Sequence, residues 1–198
     1  MARRSDLLTR ALSTSPGSVR RVRRIVLLRG INLGSSRRVS MPELRAALAD
    51  AGYDDVRTYV QSGNVVLGTD EAPAKLERRI EALIADELGV EVQVVARTRN
   101  ELAEVVARDP LGEVAENPKR YQVTFCSAEP DPEKVERVAE LAKDDERFEL
   151  IGREAYAWHP EGVARSKLWA KLAGDGLGVV TTSRNWTTVT KLLELADD

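Results

Sequence analysis

The regular part of the chain opens on four consecutive apolar residues, Ile25-Val26-Leu27-Leu28, the mark of a strand buried on both faces. A polar loop with Gly30, Asn32, Gly34, Ser35 and Ser36 follows. Ser40-Met41-Pro42-Glu43 has the form of a capping box, Met41, Leu44, Leu48 and Ala51 recur at helical spacing, and Gly52 closes the helix. Val56–Val60 alternates as a strand, Ser62-Gly63-Asn64 reads as a turn, and Val65–Leu67 is a second continuous apolar run. Pro73 suits a first helical turn, and Leu76, Ile80, Leu83, Ile84 and Leu88 form the next stripe. Val90, Val92 and Val94 alternate as a strand, and Thr98-Arg99-Asn100-Glu101 caps a helix that ends at Asp109-Pro110.

After a loop over 110–118 the pattern repeats. Tyr121, Val123 and Phe125 alternate as a strand, and Val135, Val138, Leu141 and Ala142 stripe a helix. Phe148–Ile151 and Ala155–His159 form a strand pair, Leu168 and Leu172 mark a short helix, and Val179–Thr182 closes the unit. A last helix carries Trp186, Val189, Leu192, Leu193 and Ala196. The order strand, helix, strand, strand, helix, strand is the split βαβ unit. The expected fold class is therefore α+β: two tandem ferredoxin-like (βαββαβ) halves with a linking helix and a C-terminal helix. The expected organisation is a basic, disordered arm over 1–21, a first half over 22–97, a linking helix and loop over 98–118, and a second half plus C-terminal helix over 119–198.

Charge changes this picture at one end. Residues 1–38 hold ten arginines and a single acid, Asp6, for a net charge of +9, while the remainder carries a net −11. A basic arm can bind phosphate backbones that an acidic body repels; the plainer alternative is a solvated tail. The arm is Arg- and Ser-rich like an organelle transit peptide, but no apolar core follows its arginines as in a secretory signal. One cysteine, Cys126, and one histidine, His159, leave no disulfide framework and almost no ligands for His/Cys metal chemistry, so no metal and no cofactor are expected. The apolar runs are far too short for a membrane span, and a reducing cytoplasm is the expected location.

Three polar stretches are candidates for chemistry. Arg29–Ser36 leaves a buried strand through Gly-x-Asn-x-Gly-Ser-Ser, which suits a phosphate cradle of backbone N–H groups beside a guanidinium. It lacks the spacing of a dinucleotide fingerprint or a Walker loop, and its alternative is a loop whose Asn32 and glycines meet unusual backbone angles. Gln61-Ser62-Gly63-Asn64 is ordinary hairpin chemistry, with Gln61 and Asn64 as amides able to read a planar polar group. Thr181–Trp186 opens the last helix with Arg184 beside it, which fits either an anion site or a plain cap by Thr182, Ser183 or Asn185. Arg165, Lys167 and Lys171 extend the positive surface or are a solvated face. His159 has no partner evident in the sequence, and Cys126 reads as an inert buried thiol.

Four ordered motifs resemble one family. Leu28-Arg29-Gly30-Ile31-Asn32-Leu33-Gly34, Met41-Pro42-Glu43-Leu44-Arg45 and Thr58-Tyr59-Val60-Gln61-Ser62-Gly63-Asn64-Val65 resemble the N-terminal signature of domain of unknown function 1697. Thr181-Thr182-Ser183-Arg184-Asn185-Trp186-Thr187-Thr188-Val189, with Lys191-Leu192, resembles its C-terminal signature. Departures are Ser35, where a second glycine is usual, and Ser183, where threonine is common. The resemblance implies a cytoplasmic bacterial α+β protein built by duplication, and supplies no reaction, cofactor or catalytic residue.

The expected function is binding of an anionic small molecule, a nucleotide or phosphorylated metabolite, by Arg29, Asn32, Gln61, Ser62, Asn64, Arg184 and Asn185. Arg29 and Arg184 are the expected charge clamps. The alternatives are a nucleic-acid-binding module and a protein-interaction scaffold without catalysis; no membrane partner is expected.

Overall fold

The computed structural model describes residues 21–32 and 38–198 of the chain. Among them are eight strands in two four-stranded antiparallel sheets, and six helices. The first sheet holds β1 (Arg23–Leu28), β2 (Asp54–Tyr59), β3 (Asn64–Gly68) and β4 (Val94–Thr98), in the order β2-β3-β1-β4. The second holds β5 (Tyr121–Cys126), β6 (Arg147–Ile151), β7 (Glu154–Trp158) and β8 (Thr181–Asn185), in the order β6-β7-β5-β8. Helices α1 (Met41–Asp50) and α2 (Pro73–Leu88) belong with the first sheet, and α4 (Pro132–Ala139) and α5 (Lys167–Leu172) with the second. Helix α3 (Arg99–Arg108) follows β4 directly, and α6 (Trp186–Asp197) follows β8 in the same way.

Side chains alternate between the faces of a strand, and here both faces are covered. On the first sheet Val26, Leu28, Val65, Leu67, Val94 and Ala96 pack with Leu44 and Leu48 of α1 and Leu76, Ile80 and Ile84 of α2. The alternate residues Ile25, Leu27, Val66 and Val95 enter a second cluster with Val123, Phe125 and Tyr156 of the other sheet. Leu102 and Val105 of α3 and Val189 and Leu192 of α6 complete that central layer. On the far side Cys126, Ala155 and Ala157 pack with Val138, Leu168 and Leu172. Two-sided burial explains the continuous apolar runs of β1 and β3.

The caps follow the sequence closely. Thr98 and Glu101 make a reciprocal capping box on α3, Ser40 accepts from the Glu43 N–H on α1, and α2 begins at Pro73 and closes on Gly89 at φ 65°. Two strands fall elsewhere than the alternation suggests. β4 is Val94–Thr98, and Val90 and Val92 pack against the first core ahead of the ladder. β8 is Thr181–Asn185, so the stretch read as a polar turn is itself a strand. Thr181, Thr182 and Arg184 are buried and Ser183 half-buried because partners are waiting for them: Thr181 Oγ1 donates to the carbonyls of Leu172 and Gly174, and Ser183 Oγ lies 2.7 Å from Thr124 Oγ1. The arm over 1–20 and Gly34, Ser35 and Ser36 lie outside the described residues.

Candidate functional site

Two arginines occupy the same place in the two sheets. Arg97 is the fourth residue of β4, and Thr98 after it is the N-cap of α3. Arg184 is the fourth residue of β8, and Asn185 after it is the N-cap of α6. Each guanidinium crosses to the other sheet and binds matched positions there. Arg97 donates to the carbonyl of Cys126, the last residue of β5, at 2.7 Å and to Glu154 Oε1, on the first residue of β7, at 2.8 Å. Arg184 donates to the carbonyl of Leu28, the last residue of β1, at 2.9 Å and to Oδ1 of Asn64, the first residue of β3. Both also bond the carbonyl of the residue before them, Ala96 and Ser183.

The two corners differ in one respect. Arg97 faces a carboxylate, whereas Arg184 faces a neutral amide. Arg184 is 7% exposed, and all its contacts are with neutral oxygens: Asn64, Thr182 Oγ1, and the carbonyls of Leu28, Ser62, Gly63 and Ser183. A guanidinium has five N–H donors, and these acceptors occupy them all. Burial lowers its pKa to about 10, so it stays charged at neutral pH, and among the described residues no counter-ion is in hydrogen-bond contact with it.

Beside it opens a cleft of about 710 Å³. Arg29, Ser62, Gln93, Trp169, Asp175 and Arg184 are its polar and aromatic walls, with Ile31 and Ala173 adding apolar surface. Arg29 leaves the end of β1 and is held at the mouth by Gln93 Oε1 and Asp175 Oδ1, both at 2.7 Å. Arg184 therefore contributes charge to the cleft, and Arg29 is the guanidinium placed to contact a ligand. The turn that carries Ser62 admits no side chain at its next position. Gly63 has φ +73°, and a Cβ there would lie 2.6 Å from Leu28 Cβ.

Of the residues singled out in the sequence, Arg29, Ser62 and Arg184 meet in this cleft. Asn64 lies fully buried behind Arg184, its amide donating to Tyr59 O at 3.1 Å and Ser62 Oγ at 3.0 Å. Asn32, at φ 56°, uses its side chain on the loop: Nδ2 donates to the carbonyls of Val39 and Gln61, and Oδ1 accepts from the Val39 N–H. Gln61 and Asn32 line a separate hollow with Arg38, Val39 and Ser40. Asn185 is turned to capping, accepting from the Thr188 N–H at 2.9 Å. Arg165, Lys167 and Lys171 are exposed and are not among the cleft's walls. Gln93, Trp169 and Asp175 were not legible as site residues; only the breaker-flanked Gly174-Asp175-Gly176 carried a signal, that of a tight loop.

His159 does have a partner. Its Nδ1 lies 2.7 Å from Glu146 Oε1 with both residues buried, and its ring packs edge-on against Trp169. Glu146 is far from it in the strand pattern, so nothing in the sequence pairs them. Burial alone raises the Glu146 carboxyl, but hydrogen bonds from Ser166, His159 and the Lys143 N–H hold it below its usual value. Burial pushes the Cys126 thiol up to about 12, which leaves it protonated. Among the described residues no group of three His, Cys, Asp or Glu is placed to hold a metal ion, and no helix is long and apolar enough to cross a membrane.

The chain belongs to the family described as protein of unknown function (DUF1697), whose model matches residues 22–156. No curated protein matches it. Among solved structures it is similar to the conserved bacterial protein SP0830 from Streptococcus pneumoniae. That likeness has a TM-score of 0.71 at 22% identity and covers 88% of this chain and 98% of that one, a likeness of fold.

Proposed function

We propose that this protein binds a small anionic molecule, a nucleotide or another phosphorylated metabolite, in the cleft beside Arg29 and Arg184. The observation that carries the reading is the missing counter-ion. Taking a charge out of water is costly, and structures usually offset it with an opposite charge, as Glu154 does for Arg97. Among the described residues Arg184 has none in contact, and a ligand anion in the adjoining cleft supplies one. The cleft's volume falls within the roughly 300–1,000 Å³ range of small-molecule sites.

The same reading takes each sheet with its helices as a ferredoxin-like half, 22–97 and 119–198, joined through 98–118 and preceded by the arm over 1–21. Support comes from the matching strand orders and from Arg97 and Arg184 at equivalent positions, which also favour internal duplication. A cytoplasmic location is proposed from the single cysteine. The nucleic-acid alternative rests on the seven arginines of residues 1–24. It is weakened by the burial of Tyr121, Phe125 and Tyr156, since sheets that stack bases do so on exposed aromatics. A scaffold role is weakened because, among the described residues, the exposed large apolar side chains, Val22, Val60 and Val114, lie on three separate segments.

The test is a thermal-shift screen against nucleotides, phosphorylated metabolites and short oligonucleotides at two salt concentrations. A ligand at about 100 times its Kd stabilises by ~2.7 kcal/mol, roughly 5–10 °C for a chain of this size. The expected result is a small-anion shift that persists at the higher salt and is lost in Arg29→Ala. An oligonucleotide shift that disappears with salt, or no shift from any anion, overturns the reading.

A further inference from the structure

We infer that the cleft takes a phosphomonoester in its doubly charged form, and that Asp175 is the resident anion this ligand displaces from Arg29. The inference rests on the cleft reading above and adds the ligand's charge and the residue that competes with it. Among the described residues three charged side chains line the cleft: Arg29, Arg184 and Asp175. With the Asp175 carboxylate on Arg29, one positive charge is left over, at Arg184. With Asp175 turned away, two are.

The backbone under Asp175 is fixed while its carboxylate is free to turn. A Cβ at Gly174 would meet the Ala170 carbonyl at 2.9 Å, and one at Gly176 would meet Lys171 Cβ at 2.7 Å, so the loop lies close against the end of α5. The Gly176 N–H donates to Lys171 O, the Gly178 N–H to Asp175 O, and Thr181 Oγ1 to Gly174 O. The Asp175 side chain is nevertheless 87% exposed. It can rotate into water without losing hydration, and no backbone motion is needed.

An incoming monoanion that replaces Asp175 leaves the total charge of the cleft unchanged. A dianion also supplies the counter-charge that Arg184 lacks. Phosphomonoesters have a second pKa near 6 and carry close to two charges at pH 8. A sulfate monoester has the same tetrahedral shape with one charge. Trp169, Ile31 and Ala173 offer an apolar wall for the organic group.

The experiment compares phenyl phosphate with phenyl sulfate by titration calorimetry at pH 8, on the full chain and on Asp175→Asn and Arg29→Ala. Phenyl phosphate is expected to bind about tenfold tighter or more, as one added charge interaction at low dielectric permits. Asp175→Asn is expected to tighten both esters roughly two- to fivefold, the scale of an exposed ion pair. Arg29→Ala is expected to lose both. Equal affinities for the two esters, or no change in Asp175→Asn, overturn this inference while leaving the anion cleft standing. Failure of both esters to bind, together with a silent screen, overturns the cleft reading itself.

Discussion

The Arg97 corner and the Arg184 corner use the same geometry on chemically different partners. At the first, a fully buried guanidinium meets a carboxylate, with the Phe125 ring 5.7 Å from its charge centre. Around it Arg108 lies 3.8 Å from the second oxygen of Glu154, and Arg153 pairs with Glu101 at 2.6 Å. At the second, the same reach across the sheets ends on an asparagine and a set of carbonyls, beside an open cleft. The first corner is closed electrostatically and serves stability. The second holds its strands together equally well by hydrogen bonds but keeps an unbalanced charge where a ligand can reach its field. One residue pair, Glu154 against Asn64, separates a structural tie from a candidate site.

Removing either arginine is the harshest way to break the comparison. Arg97→Ala leaves Glu154 buried, and Arg184→Ala takes the donor from Asn64 Oδ1 and the Ser62 carbonyl while opening a hole between the sheets, so each is expected to cost about 3–5 kcal/mol. Urea unfolding checks this; a cost under 1 kcal/mol at either corner refutes the tie. Because Arg184→Ala harms folding, Arg29→Ala is the cleaner probe of binding.

The turns come next. Gly63→Ala adds a clash to a left-handed backbone and is expected to cost about 2–4 kcal/mol. Gly152, in the β6–β7 turn at φ +61°, has nothing within 4 Å of a Cβ, so Gly152→Ala should cost only about 1 kcal/mol. Equal melting temperatures for the two variants would contradict the packing argument.

Exchanging the partners sharpens the point. Asn64→Asp places a carboxylate on Arg184 and is expected to weaken phenyl phosphate about tenfold, since the missing charge is then internal. Glu154→Gln is expected to lower stability by about 1–3 kcal/mol and leave that affinity unchanged. Calorimetry on folded variants decides; unchanged binding in Asn64→Asp removes the electrostatic role assigned to Arg184.

The smallest effect is the acid response. Burial raises the Glu101 carboxyl, but the Thr98 backbone and hydroxyl, with Arg97 and Arg153, bring it below its ordinary 4.5. A depressed folded value means the stabilisation is present above pH 4.5 and is lost as the pH falls through the folded value. Amide protection at the start of α3, taken relative to the intrinsic exchange rate at each pH, should therefore fall in acid before protection in β8, whose arginine has no carboxylate partner among the described residues. Simultaneous loss of protection would count against the contrast.

Most of the fold was legible because burial on two faces writes itself into β1 and β3 as unbroken apolar runs, and because Thr98-Glu101 and Pro73 mark helix starts without ambiguity. β8 was misplaced because Thr181, Thr182, Ser183 and Arg184 are polar, and only the fold supplies the partners that let Thr181, Thr182 and Arg184 be buried. The site was half legible for the same reason. Arg29, Ser62 and Arg184 stood in noticeable motifs, while Asp175 and Gln93 acquire meaning only once Arg29 lies between them. Glu154 was invisible as a partner of Arg97 at a separation of 57 residues. One signal was available: an arginine immediately before a helix cap, in Arg97-Thr98 and again in Arg184-Asn185.

The reciprocal reach of the two arginines also bears on what happens if the chain is cut. The segment from Gly112 to Arg120 is almost wholly exposed and runs between the two sheets. A nick at Glu116 would leave Arg97 on one fragment gripping the other, and Arg184 on the second gripping the first. Together with the shared central core, this makes the two pieces mutual ligands, so that co-expressed fragments 1–115 and 116–198 should reassemble into a single species on gel filtration. The protein is thus suited to splitting into complementing parts, with the cleft restored only on reunion.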